Sequence, residues 1–259
     1  MPAPLIAVSL KMYFDHLTTL EWARAVRRHD AIGPVIGSGE VELVILPGLA
    51  SLDAVARTFE GTAVRLGAQD LAWADSGAFT GDVSGASIRQ VGGAFVEIGH
   101  AERFIHHGED LHRVGDKLAA ALRSGLQPLV CVGEHERTSP ETAAEICIGQ
   151  WTAMLARLPD RGGSSFAASP PVIAYEPVWA IGAAEPASPD HVASVVHRIE
   201  STGELPPGTR IIYGGSAGPE LVPQLSGAID GFFLGRRAHD PEVLWDVIAA
   251  AIGMPGRTR

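Results

Sequence analysis

Eight short apolar runs, each followed by a stretch of helical periodicity, recur along the whole chain and restrict its possible folds more than any other feature. The runs fall at 5–8, 41–46, 64–69, 95–98, 128–132, 172–175, 210–213 and 231–234. They are rich in Val, Ile and Leu, the pattern of strands covered on both faces, as in a parallel sheet. Helices are expected between them at 19–28, 51–59, 86–91, 110–124, 139–158, 188–201 and 240–252, with a short one after Gly218. Three of these starts share one design: Ser139-Pro140-Glu141, Ser188-Pro189-Asp190 and Asp240-Pro241-Glu242. Each supplies a capping side chain, a proline where a missing N–H does no harm, and an acid near the positive end of the helix dipole. Eight strand–helix units in 259 residues predict one α/β domain over 1–259, a closed (β/α)8 barrel. An open doubly wound sheet also alternates in this way, but nothing in it stops the chain at eight units.

Two segments interrupt the rhythm. The connection at 70–85 holds Trp73, Phe79 and Thr80 among glycines and serines, and a loop of that length in a compact domain is usually functional. The segment 159–170 is rich in Gly, Ser and Pro and is expected to be a surface loop, because the alternation resumes in phase after it. A net charge of −10 and a pI near 5.4 lack the clustered cations of a nucleic-acid surface. No apolar run approaches the ~18 residues of a membrane span. Neither a nucleic acid nor a membrane is therefore expected as a partner. Met1-Pro2-Ala3-Pro4 lacks the basic start of a signal peptide, and Cys131 and Cys147 are too few for a disulfide framework. Both cysteines read as reduced thiols of a cytoplasmic protein. Lys11 and Lys117 are the only lysines in a chain that otherwise uses arginine.

In a barrel of this kind, chemistry gathers at the C-terminal ends of the strands. There the sequence places Ser9-Leu10-Lys11, then Gly99-His100-Ala101-Glu102-Arg103, then Glu176, then Tyr213-Gly214-Gly215-Ser216, and finally Gly235-Arg236. Glu176 leaves a buried run where the chain turns, and Pro177 stiffens the turn behind it. An apolar surround disfavours a carboxylate's ionised form, which suits a base that attacks carbon acids. Val178-Trp179-Ala180-Ile181-Gly182 is apolar yet lies in a loop; it is either a lid that excludes water or a loop whose Trp plugs the core. Glycine-bearing turns after the seventh and eighth strands present backbone N–H groups to an anion. His100, Glu102, His106 and His107 match no zinc spacing, so no metal is expected. Lys11 as a Schiff-base lysine would need a lowered pKa, and a carboxylate partner such as Glu102 does the opposite. Cys131 reads as a buried strand residue with no base beside it, and Tyr175, Trp179 and Phe79 as packing groups.

Together, Ala174-Tyr175-Glu176-Pro177-Val178-Trp179-Ala180-Ile181-Gly182, the His100 motif, Tyr213-Gly214-Gly215-Ser216 and Gly77-Ala78-Phe79-Thr80-Gly81 resemble the triosephosphate isomerase family. The resemblance runs from the first strand to the eighth. It implies a TIM barrel, an isomerase acting on a small phosphorylated sugar, and no cofactor or metal. It implies Glu176 as the base that shuttles a proton between adjacent carbons and His100 as a neutral imidazole polarising the carbonyl. Lys11 would neutralise the enediolate and phosphate, and Glu102 would hold Lys11 in place. Gly182, Ser216, Gly235 and Arg236 would grip the phosphate through their N–H groups. The resemblance also implies a homodimer in which Phe79 and Thr80 insert into a partner subunit beside Lys11.

The departures from the family narrow the substrate. Ser9 stands where the family carries Asn, and Ala101 where it carries Ser. Ala183-Ala184-Glu185-Pro186-Ala187-Ser188 replaces the usual Thr-Gly-Lys-Thr type of hinge, and Gly235-Arg236 replaces Gly-Gly. The changes at Ser9, the hinge and Gly235-Arg236, with the Trp73-Ala74-Asp75 lead-in, make the chain similar to the tetrulose-phosphate isomerases. Those interconvert L-erythrulose 1-phosphate and D-erythrulose 4-phosphate. The first of these is dihydroxyacetone phosphate with an added hydroxymethyl group on the reacting carbon. Glu176, His100 and Lys11 can then stay, while Ser9 makes room and offers a hydroxyl to the substrate. An ordinary triosephosphate isomerase is the alternative. A paralogue that only binds a phosphorylated metabolite is a third reading, against which the intact Lys11, His100 and Glu176 speak.

Overall fold

Eight parallel strands close on themselves in chain order: β1 (Leu5–Ser9), β2 (Glu42–Leu46), β3 (Arg65–Ala68), β4 (Gly93–Ile98), β5 (Gln127–Val132), β6 (Val172–Tyr175), β7 (Arg210–Tyr213) and β8 (Gly231–Leu234). The last pairs back with the first, Val8 lying opposite Leu234. This is a computed structural model, and it describes residues 2–183, 186–255 and 257. The helices are α1 (His16–Arg28), α2 (Ile32–Ser38), α3 (Leu52–Thr58), α4 (Gly85–Gln90), α5 (Ala101–His107), α6 (Leu111–Arg123), α7 (Pro140–Leu155), α8 (Gly163–Ala168), α9 (Pro189–Ser201) and α10 (Pro241–Ala251). The chain is thus the expected closed (β/α)8 TIM barrel. Among the described residues no helix is long and apolar enough to cross a membrane.

Side chains alternate along each strand, so two cores form. Leu5, Ala7, Val44, Phe95, Leu129 and Ile212 pack together inside the barrel, while Ile6, Val8, Leu43 and Ile45 pack outward under the helices. The N-terminal mouth is plugged by ions: Glu42 accepts from Arg65 at 2.8 Å and from Arg210 at 2.6 Å. The three expected caps are made, with Ser139, Ser188 and Asp240 accepting from the N–H groups of Thr142, His191 and Glu242. Each such cap contributes about 1 kcal/mol.

The helices differ from expectation where glycine and proline mislead. α2 forms despite Gly33, Pro34 and Gly37, because Ile32 and Ile36 stack on one buried face. Segment 159–170 is not a plain loop: a 3-10 turn (Pro159–Gly162) leads into α8, anchored by buried Phe166 against Trp151. The helix expected after Gly218 is instead a run of turns, since Pro219 and Pro223 remove backbone donors. His106 and His107 precede α6, but they also end α5. Lys117 is structural. It is buried and bonded to both oxygens of Asp70 and to Glu109, and Arg103 bonds Asp70 and Glu109 as well. This cluster pins the start of the 70–85 loop. Trp73 packs edge-on against Phe79 further along it, and the tip at Phe79 and Thr80 is exposed.

Candidate active site

Strand register decides what surrounds Glu176. Val132 lies opposite Tyr175, and Tyr175 opposite Tyr213, so Glu176 emerges between Gly133 and Gly214. Its N–H donates to Val132 O at 2.8 Å, fixing the backbone at the barrel rim. Both neighbours have to be glycine: a β-carbon on Gly133 would lie 1.9 Å from Glu176 O, and one on Gly214 would press on the side chain itself. The carboxylate is buried, and Oε2 has no hydrogen-bond partner among the described residues. An unbonded, buried carboxylate oxygen is free to receive a proton from a ligand.

His100 ends the turn after β4 and caps α5. Its Nδ1 accepts from the N–H of Glu102 at 3.1 Å. A nitrogen that accepts carries no proton, so the imidazole is the neutral tautomer protonated on Nε2. That Nε2 lies 3.8 Å from Glu176 Oε1, facing the same space.

Lys11 adopts a left-handed conformation (φ 50°), unusual for a residue with a side chain. Gln69 holds it there, donating from Nε2 to Lys11 O at 3.1 Å and to Leu46 O at 2.9 Å. The ammonium bonds Glu102 Oε1 at 2.7 Å. Burial pulls the Lys11 pKa down, but the Glu102 bond and the charges of Glu102, Glu176 and Glu97 outweigh it, and the net shift is upward. Burial raises the Glu102 carboxyl, and its bond to Lys11 brings it to a net position below the usual value. A lysine held in its charged form is unsuited to Schiff-base chemistry.

Ser9, Lys11, His100, Glu102 and Glu176 line one cavity of about 570 Å³, together with Gly182, Ser216, Gly235 and Arg236. Every expected substrate-facing residue therefore meets in one place. Phe79 and Thr80 do not line it. The Arg236 guanidinium lies over the Tyr13 ring at 5.6 Å and beside Gly182. Arg237 lines the same wall.

The segment after Glu176 forms a 3-10 turn (Val178–Ala180) tied at several points. Trp179 donates to Glu134 Oε1 at 2.8 Å, and Tyr175 donates to the same oxygen at 3.1 Å. Both aromatic residues thus hold a polar contact beyond packing. Ser216 Oγ donates to Ala180 O, and Ala187 N–H donates to the Tyr213 hydroxyl. Of the departing hinge, Ala184 and Glu185 lie outside the described residues.

Three residues at the site escaped sequence reasoning. Gln69 acts on the Lys11 backbone and Glu134 on the segment after Glu176, through contacts that only the fold creates. Glu97 was legible, as a lone carboxylate inside an apolar strand. It accepts from Ser9 Oγ at 2.8 Å, and burial raises its carboxyl to about 7, helped by the charge of Glu176 and opposed by the Ser9 bond and the Lys11 charge. Cys131 is buried as expected, but it has a carboxylate beside it. Burial, then the charges of Glu176 and Glu97, push its thiol well above the usual value, so it stays protonated and inert.

Known proteins show the same pattern. A family model described as Triosephosphate isomerase matches residues 4–251. The chain is 43% identical to an L-erythrulose-1-phosphate isomerase of Pectobacterium atrosepticum, over 91% of each chain. It is 38% identical to a triosephosphate isomerase of Solibacter usitatus, over 93% of this chain and 96% of the relative. It is 37% identical to an L-erythrulose-1-phosphate isomerase of Rhizobium rhizogenes, over 96% and 94%. With barrel, motifs and full-length relatives in agreement, the chain belongs to the triosephosphate isomerase family and is a sugar-phosphate isomerase of the aldose–ketose type.

Proposed function

We propose that residues 1–259 act as one isomerase domain interconverting L-erythrulose 1-phosphate and D-erythrulose 4-phosphate. The observation that carries this reading is Ser9, a short hydroxyl side chain lining the cavity that also holds Glu176 and His100. It leaves space and a polar partner for a hydroxymethyl group on the reacting carbon. The relatives named L-erythrulose-1-phosphate isomerase support it. The test is the specificity constant of the purified protein on the tetrulose and triose phosphates side by side.

In this reading Glu176 removes the proton from the hydroxyl-bearing carbon next to the carbonyl. The C–H electron pair becomes the new C=C bond, and the carbonyl pair moves onto oxygen as an enediolate. His100 Nε2–H donates to that oxygen, and the Lys11 ammonium offsets its charge. The former carbonyl oxygen then takes a proton from His100 Nε2, which regains one from the neighbouring hydroxyl; Glu176 returns its proton to the former carbonyl carbon, and the carbonyl re-forms one position along. Glu102 keeps Lys11 extended towards the substrate, and Gly182, Ser216, Gly235 and Arg236 hold the phosphate. Closure of the segment 178–182 keeps water from the enediolate. The shuttle uses no cofactor and no metal.

The assembly proposed is a cytoplasmic homodimer. Phe79 and Thr80 stand at an exposed loop tip, and Met12, Tyr13 and Leu17 near Lys11 are exposed as well. Exposed apolar side chains on a loop tip and beside a site suit surfaces covered by a second copy. The triose reading rests on the same Lys11, His100 and Glu176 and on relatives named triosephosphate isomerase.

A further inference from the structure

Below the cavity the barrel holds a carboxylate that the proton shuttle does not use. Glu97 lies in β4 two residues after Phe95, on the same inward register, and is 3% exposed. It is not part of the cavity wall, whereas Ser9 is. The two meet across the barrel interior, Ser9 Oγ donating to Glu97 Oε2 at 2.8 Å. A hydroxyl has one proton to give and two lone pairs. With the proton committed to Glu97, Ser9 faces the cavity as an acceptor.

The position of this acceptor matters. The groups at the anion-binding end, Gly182, Ser216 and Gly235, belong to turns beyond the strands, but Ser9 is still within β1 and forms part of the floor. A substrate whose phosphate sits among those turns points the far end of its carbon chain at the floor. Burying a carboxylate and a hydroxyl there is costly compared with an apolar pair, so the pair calls for a function.

We propose that Glu97 is a positioning residue for substrate selection, fixing Ser9 Oγ as the acceptor for the hydroxyl of a hydroxymethyl substituent on the reacting carbon. The assignment rests on the tetrulose-phosphate reading above. Glu97 reaches the substrate only through Ser9. Its loss should therefore penalise the tetrulose phosphate and spare the triose phosphate, which lacks that substituent.

The test is the ratio of kcat/KM for L-erythrulose 1-phosphate over dihydroxyacetone phosphate in Glu97→Leu, Glu97→Gln, Ser9→Ala and the double variant Ser9→Ala/Glu97→Leu. Glu97→Leu should lower the ratio by about 10-fold, the scale of one lost contact. Glu97→Gln keeps an acceptor oxygen and should restore most of it. The double variant should fall no further than Ser9→Ala alone, because Glu97 acts through Ser9. Circular dichroism and the thermal midpoint of each variant report that the barrel is folded. A merely structural role would lower both substrates alike and leave the ratio unmoved, which overturns the assignment, as would independent, multiplying effects in the double variant. Wild-type protein that does not turn over the tetrulose phosphate overturns the substrate reading and this assignment together. Tetrulose turnover with an unmoved ratio in Glu97→Leu overturns this assignment alone.

Discussion

The backbone of Gly214 runs so close to Glu176 that a β-carbon there would sit 2.4 Å from Glu176 Cγ and 2.8 Å from Oε1. The glycine is therefore part of what aims the carboxylate. Gly214→Ala should push the Glu176 side chain off its position while leaving the phosphate contacts intact. Glu176→Asp should do the same from the other direction, by withdrawing the carboxylate one methylene. In both, kcat should drop by on the order of 100-fold, with KM little changed, since proton transfer is sensitive to such misplacement. Steady-state kinetics showing wild-type kcat in Glu176→Asp would remove Glu176 from the role of base.

Lys11 is held between Gln69 at its carbonyl and Glu102 at its ammonium. Lys11→Met removes the cation from a cavity that must accept a phosphate dianion. KM should rise by on the order of 10- to 100-fold, the scale of one charged hydrogen bond, and kcat should fall as well. An unchanged KM would show that Arg236 and the backbone N–H groups bind the phosphate without Lys11.

Glu97 makes stability depend on pH. Its carboxyl titrates at about 7 in the fold, mainly through burial, against 4.5 when unperturbed. Between those values the folded chain keeps a proton that the unfolded chain has released. Its contribution is therefore fully present below about pH 4.5 and is lost as pH rises through about 7. The stability of wild type relative to Glu97→Gln should fall over that window by at most about 1.4 kcal/mol per pH unit. Urea unfolding at several pH values measures this, and a difference that rises with pH would contradict it.

The fold was legible because a parallel barrel buries both strand faces, so each strand appears as an unbroken apolar run such as Leu43-Val44-Ile45-Leu46. Helices carrying a serine or aspartate cap and a first-turn proline were equally plain. α2 was hidden by Gly33, Pro34 and Gly37, and α8 by having a single apolar anchor, Phe166. The chemistry-bearing side chains stood out because Lys11, His100 and Glu176 come within three residues of the ends of apolar runs. Their supports did not. Gln69 and Glu134 work by hydrogen bonds between segments distant in sequence, and periodicity carries no sign of those. Glu97 would have been found by counting two residues on from Phe95 to see that it faces inward.

Exposed Met12, Tyr13 and Phe79 give the assembly prediction its physical basis. Light scattering at assay concentrations should give twice the chain mass. Phe79→Asp should shift the population to monomer and lower activity with it, if the partner's loop supports the Lys11 turn. A fully active monomer would refute the dimer as a functional requirement.

The proposed cavity is built for a ketose phosphate one hydroxymethyl group larger than the triose. The most direct measurement is kcat/KM of the purified wild-type protein for L-erythrulose 1-phosphate and for dihydroxyacetone phosphate under the same conditions. The tetrulose phosphate should be preferred by about 10-fold or more, with residual turnover of the triose. A protein that prefers dihydroxyacetone phosphate and barely converts L-erythrulose 1-phosphate would contradict it and make this chain a triosephosphate isomerase with a serine in its first loop.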